Sequence, residues 1–138
     1  MADPEQRERL QRLAAHLPTF EAAGFVFGAW VPSRTRADGV IELGWYEPSA
    51  EAHEFLRSLG GWITSFDWPA WANSPEGQRL LHDPAAVASA SADDLGKLLT
   101  SLVRGNRLSE GTLAWAHESG LLVAILRRAE VLLAELGS

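Results

Sequence analysis

The sequence contains no cysteine. That absence removes disulfides, thiolate metal sites and thiol nucleophiles together, and it fits a reducing, cytoplasmic setting. No apolar run approaches the ~18 residues that a membrane-spanning helix takes. The opening residues, with Glu5, Arg7, Glu8 and Arg9, lack the apolar stretch of a secretory signal. A Lys/Arg stripe is missing as well. The formal net charge is −6, and residues 37–94 hold Asp38, Glu42, Glu47, Glu51, Glu54, Asp67, Glu76, Asp83, Asp93 and Asp94 against only Arg57 and Arg79. Such a surface repels a phosphate backbone, so no nucleic-acid partner is expected.

Catalytic and cofactor signatures are equally scarce. There is no Gly-x-Ser-x-Gly turn, no phosphate-binding loop and no dinucleotide fingerprint, so no cofactor is expected. His16, His53, His82 and His117 stand apart from one another at no metal-ligand spacing, and a metal site needs three or four converging ligands. No metal is expected.

What remains is an ordinary globular composition, 46% hydrophobic and 22% charged over 138 residues. Length and composition predict a single domain over 1–138. Periodicity predicts an α+β, mainly α fold: a helical domain with a small two-stranded β element near residues 25–46. Asp3-Pro4 opens a helix whose apolar face is Leu10, Leu13, Ala14 and Leu17, with Pro18 marking its end. Residues 25–30 and 40–45 read as two strands joined by the 31–39 loop. Ser49 caps a helix running to about Leu59, with Ala52, Phe55, Leu56 and Leu59 inward. A short helix is expected over about 75–82. Ser91 and Asp94 form a capping box for a helix lined by Leu95, Leu98, Leu99, Leu102 and Val103. Gly105-Asn106 reads as the turn that ends it, and Ser109 as the cap of the next helix, through Ala116. Leu121 to Leu136 is apolar around most of its circumference, which predicts a central helix. The same excess of apolar residues leaves a homodimer through this C-terminal helix plausible.

Two segments carry more chemistry than their surroundings. In Phe66-Asp67-Trp68-Pro69-Ala70-Trp71 a carboxylate sits among large aromatics, as in sites for sugars, cations or flat rings. The plainer reading is core packing, with Asp67 capping the turn that Pro69 begins. In the second segment, Thr100 and Arg104 share a helix face, and Arg107 lies near a helix junction. Two guanidinium groups there suit an anion, unless Glu110 pairs with Arg107 or Arg104 and closes the site.

These two segments, with Gly120, Leu121 and Ile125-Leu126, resemble a family of small bacterial proteins known only as a domain of unknown function. Its pattern is an FDW…W element, then LLTxxxRxxRFxEG, then GxxxxIL. The resemblance spans roughly residues 45–128, and Leu108 stands where the pattern has Phe. Carried over position by position, it singles out Asp67, Trp68, Trp71, Thr100, Arg104, Arg107, Glu110 and Gly111. It implies no activity. The number of polar members suggests one polar cluster shared by the aromatic loop and the helix junction.

The expected function is a non-catalytic binding or protein-interaction module of a bacterial cytoplasmic protein. The alternative is an enzyme acting on a small anionic or sugar-like substrate, with Asp67 and Glu110 as acid and base and Arg104 and Arg107 as anion clamps.

Overall fold

A computed structural model describes residues 3–137 and shows an α+β, mainly α architecture. Helix α1 (Pro4–Ala14) starts as its sequence dictates: the Asp3 side chain accepts from Glu5 N, and Pro4 takes the first helical position. Pro18 begins a second short helix, α2 (Leu17–Glu21), where its missing N–H costs nothing. It therefore marks a corner between two helices.

The β element departs from the expected boundaries. Strand β1 (Gly28–Val31) pairs antiparallel with β4 (Trp45–Pro48), and β2 (Arg34–Thr35) pairs with β3 (Ile41–Glu42). Gly28 faces Pro48 and Arg34 faces Glu42, so one register runs through both ladders. The two ladders are thus one long hairpin, broken where Pro32 offers no N–H. The segment expected to be a plain loop carries the hairpin's outer half. Its tip turns at Arg36–Gly39, with Gly39 in the left-handed region at φ +86. Phe25 and Phe27, expected in the first strand, serve the core instead. Phe27 is buried, and Phe25 stacks on Phe20 with centroids 4.6 Å apart.

Helix α3 (Ala50–Arg57) is capped by Ser49 and buries Ala52 and Phe55. An aromatic loop then leads into α4 (Trp68–Ala72), α5 (Pro75–His82) and a 3-10 turn (Pro84–Ser89). Helix α6 (Ala92–Leu108) opens with the full Ser91/Asp94 capping box and buries Leu95, Leu98, Leu99 and Leu102. Its far end differs from expectation. Gly105 and Asn106 lie inside the helix, Ser109 closes it, and α7 (Thr112–Glu118) starts after Gly111 at φ +102. Asn106 explains the difference: its side-chain oxygen accepts from Leu113 N at 3.1 Å, so it caps the following helix from within its own.

Helix α8 (Leu121–Gly137) is central, touching α1, α2, α6, α7 and the 3-10 turn. Leu121, Leu122, Ile125, Leu126 and Ala129 are fully enclosed, and Leu132, Leu133 and Leu136 are partly so. Most of its apolar surplus packs within the chain's own body. No helix among the described residues is long and apolar enough to cross a membrane.

Candidate functional site

The aromatic loop is positioned by backbone hydrogen bonds. Asp67 Oδ1 accepts from Ala70 N at 3.2 Å, capping α4 where Pro69 takes an early helical position. The plainer reading of Asp67 is therefore its observed role. Trp71 is half-buried and meets Phe66 edge-on, with ring centroids 6.5 Å apart. Trp68 packs beside α6: a methyl added at Gly105 would come within 3.9 Å of its ring. Thr100 is fully buried and fastens this loop to α6. Its hydroxyl accepts from Thr64 N at 3.1 Å and donates to the Trp62 carbonyl at 3.4 Å. Both partners of that hydroxyl are backbone, and its burial closes it to a ligand.

The far end of α6 is tied to the hairpin. The Glu110 carboxylate accepts from Tyr46 N, and Trp30 covers Gly111, where a Cβ would come within 3.0 Å of its indole. Gly111 thus satisfies two demands at once, a left-handed backbone and a flat contact. Glu110 pairs with neither Arg104 nor Arg107. Among the described residues, the side chains of Arg104, half-buried, and Arg107, exposed, take part in no ion pair or hydrogen bond. The single polar cluster expected from the two segments does not form. Asp67 and Thr100 order the aromatic loop, Glu110 anchors the hairpin, and the two arginines stand unpaired one turn apart on α6.

Two features were not singled out by sequence reasoning. The first is the exposed apolar surface of the hairpin: Trp30 is 60% exposed, Ile41 64%, Leu43 79% and Trp45 45%. Alternation of apolar residues over 40–45 signals a strand, but only the fold shows that none of the described residues covers it. The second is an aromatic cluster holding two histidines. His16 meets Phe55 edge-on at 5.4 Å, and its Nε2 lies 2.9 Å from Ser58 Oγ. His117 stacks on Phe27 at 5.6 Å and has a buried, unpartnered Nδ1.

Burial holds both imidazoles below their ordinary value of about 6.5, against the weaker opposing pull of Glu54 on His16 and Glu118 on His117. The unfolded chain therefore takes up protons first as pH falls. Stability contributed by these groups is complete above about pH 6.5 and is lost as pH falls through the lowered folded values. Urea midpoints at pH 7.5, 6.0 and 5.0 should decline across that window, and His117→Phe should flatten the decline. An identical slope in the variant would remove His117 from the account.

A cleft of about 610 Å³ lies elsewhere, between the 3-10 turn and α8, walled by Pro84, Ala88, Val123 and Val131. None of the residues expected to form a site lines it. The two arginines on its wall are engaged: Arg127 pairs with Glu21, and Arg128 Nε donates to the Ala90 carbonyl at 2.7 Å. Among the described residues, no three His, Asp or Glu side chains converge as metal ligands.

The model of a family of unknown function, DUF6508, matches residues 5–135. The chain belongs to that family. The DUF6508 match takes in the hairpin and α1 as well as the aromatic loop and α6, so it extends well beyond the stretch on which the sequence resemblance rests. No curated protein and no solved structure matches the chain.

Proposed function

We propose that this chain is a non-catalytic protein-interaction module of a bacterial cytoplasmic protein, with the hairpin as its contact surface. The supporting observation is an arm that none of the described residues covers. Residues 32–41 are exposed without exception, and the arm carries Val40, Ile41, Leu43 and Trp45 in contact with solvent. A two-stranded ladder is marginal by itself, and contiguous exposed apolar side chains mark interaction sites. The base of the arm is held by Glu110 and Gly111, which gives these two matched residues a task in presenting it. The unpaired Arg104 and Arg107 and the exposed Leu108 lie on the helix that leads into Glu110 and Gly111. A cysteine-free composition fits the cytoplasm. The enzyme reading has less support, because Asp67 and Glu110 already hold backbone N–H groups.

The test is photo-crosslinking in cells from a photoreactive residue at position 43, with position 76 on α5 as control. Discrete adducts from position 43, removed by Trp45→Ser while circular dichroism stays unchanged, are expected. No adduct from position 43, or the same adducts from position 76, would overturn the proposal.

A further inference from the structure

Helix α8 is apolar around most of its circumference because it serves two surfaces. Leu121, Leu122, Ile125, Leu126 and Ala129 form the stripe that enters the core. Gly120, Val123, Ala124, Arg127, Arg128 and Val131 follow at spacings of three and four and form a second stripe beside it. That stripe is one wall of the cleft of about 610 Å³, and the 3-10 turn supplies the other through Pro84, Ala85 and Ala88. Alanines at 85, 88 and 124 reach too little to fill the space between the two elements, which leaves a hollow. Its volume falls in the range of small-molecule sites (~300–1,000 Å³), and Val131 on its wall remains 47% exposed.

Charge says what fits there. Among the described residues, the walls carry no acid, and their ionisable groups are Arg127 and Arg128, in a chain whose total is −6. Arg127 is neutralised by Glu21. Arg128 is held differently. Its Nε donates to the Ala90 carbonyl at 2.7 Å, which fixes the guanidinium at the end of the 3-10 turn without cancelling its charge. The side chain is half-buried and pairs with no carboxylate among the described residues. Its two terminal nitrogens have no protein partner among those residues, and they reach solvent. Both keep their N–H donors, in the planar fork that suits the two oxygens of a carboxylate.

The cleft is also polarised along α8. Positions 120–124 of its wall bear no charge, and the guanidinium groups come one turn later. About 12 Å of helix axis separates Gly120 from Arg128, the reach of a medium alkyl chain. A neutral apolar ligand would leave the Arg128 charge unanswered beside it. A bare inorganic anion would leave Val123, Ala124 and Val131 wet. We infer that the cleft binds a small monocarboxylate with an extended apolar body, of the medium-chain fatty acid type. The carboxylate sits on the terminal N–H groups of Arg128, and the chain lies between α8 and the 3-10 turn. No hairpin residue lines this cleft, so the site stands independently of the interaction surface proposed above.

Isothermal titration calorimetry of the full chain with hexanoate, octanoate and decanoate, each below its micellar concentration, tests the site. One ligand per chain is expected, bound up to roughly fourfold more tightly for each methylene added. Octanol and acetate should each bind about tenfold or more weakly than octanoate. Arg128→Gln should weaken decanoate about tenfold, and Arg128→Lys by less, because the charge stays. Ala88→Phe covers the case in which Arg128→Gln loosens the turn at Ala90. Residue 88 is exposed on the opposite wall, so the added ring should fill the hollow and abolish binding without lowering the thermal midpoint. Leu43→Asp, on the hairpin, should leave decanoate affinity unchanged. No heat with decanoate, equal affinity for octanol and octanoate, or an affinity that Arg128→Gln or Ala88→Phe leaves unaltered would overturn the inference. Loss of binding in Leu43→Asp would overturn it too, by moving the ligand to the hairpin. Failure of crosslinking from position 43 would bear on the interaction surface alone.

Discussion

Replacing Phe55 with alanine is expected to lower the unfolding free energy by about 3–5 kcal/mol. Phe55 is fully enclosed, and its ring meets Phe20 at 5.1 Å and the edge of His16 at 5.4 Å. Removing it leaves a hole lined by the rings of Phe20 on α2 and of His16 just before it, which cannot collapse without moving helices. The residue is also the main anchor of a helix only eight residues long, and a helix this short owes its stability to packing. Since a domain is held by about 5–15 kcal/mol in total, one substitution consumes a large share. Urea unfolding followed by tryptophan fluorescence measures the loss. A cost below about 1 kcal/mol would mean that the aromatic cluster relaxes over the gap and is looser than its ring geometry implies.

A second substitution should be as damaging for the opposite reason. Gly77→Ala adds one methyl inside α5, where helix propensity alone favours alanine by about 1 kcal/mol. Here the added Cβ would stand 2.0 Å from the Trp71 carbonyl oxygen and 2.8 Å from its carbonyl carbon. Both are backbone atoms of α4, so no rotamer change relieves the clash. Helices α4 and α5 must separate, Ser74 must release the Gly77 N–H that it accepts at 3.1 Å, and the aromatic loop loses its seat. The expected loss is about 3 kcal/mol, the upper end of overpacking costs. Gly60→Ala is the internal control. Its Cβ meets nothing within 4 Å, and its effect should stay within about 0.5 kcal/mol. Equal effects at the two positions would show that α4 and α5 are not in close backbone contact.

Much of the fold was legible because local chemistry and global packing agree at the helix starts. Asp3-Pro4, Ser49, Asp67-Pro69 and Ser91 with Asp94 each do what their side chains predict. The errors cluster where a residue with strong local meaning is overruled by a distant partner. Gly105-Asn106 has turn chemistry, yet Trp68 packs beside the glycine and the asparagine oxygen finds Leu113 N, so the helix continues. Phe25 and Phe27 have strand chemistry, but Phe20 and His117 draw their rings into the core. Glu110 sits within easy sequence reach of Arg107, and a backbone donor 64 residues away claims it instead. The candidate residues were findable as motifs, while their tasks depended on contacts across the chain that no spacing encodes.

The unbroken register of the hairpin constrains how this arm can change length. Because both ladders are in step across the break at Pro32, a single inserted or deleted residue on one side would turn every later side chain over. Arg34 and Glu42 would then exchange faces with Thr35 and Ile41. Viable length variants of the arm are therefore those that add or remove residues in matched pairs, one on each strand. Related chains should differ there by even steps, or else carry a compensating bulge.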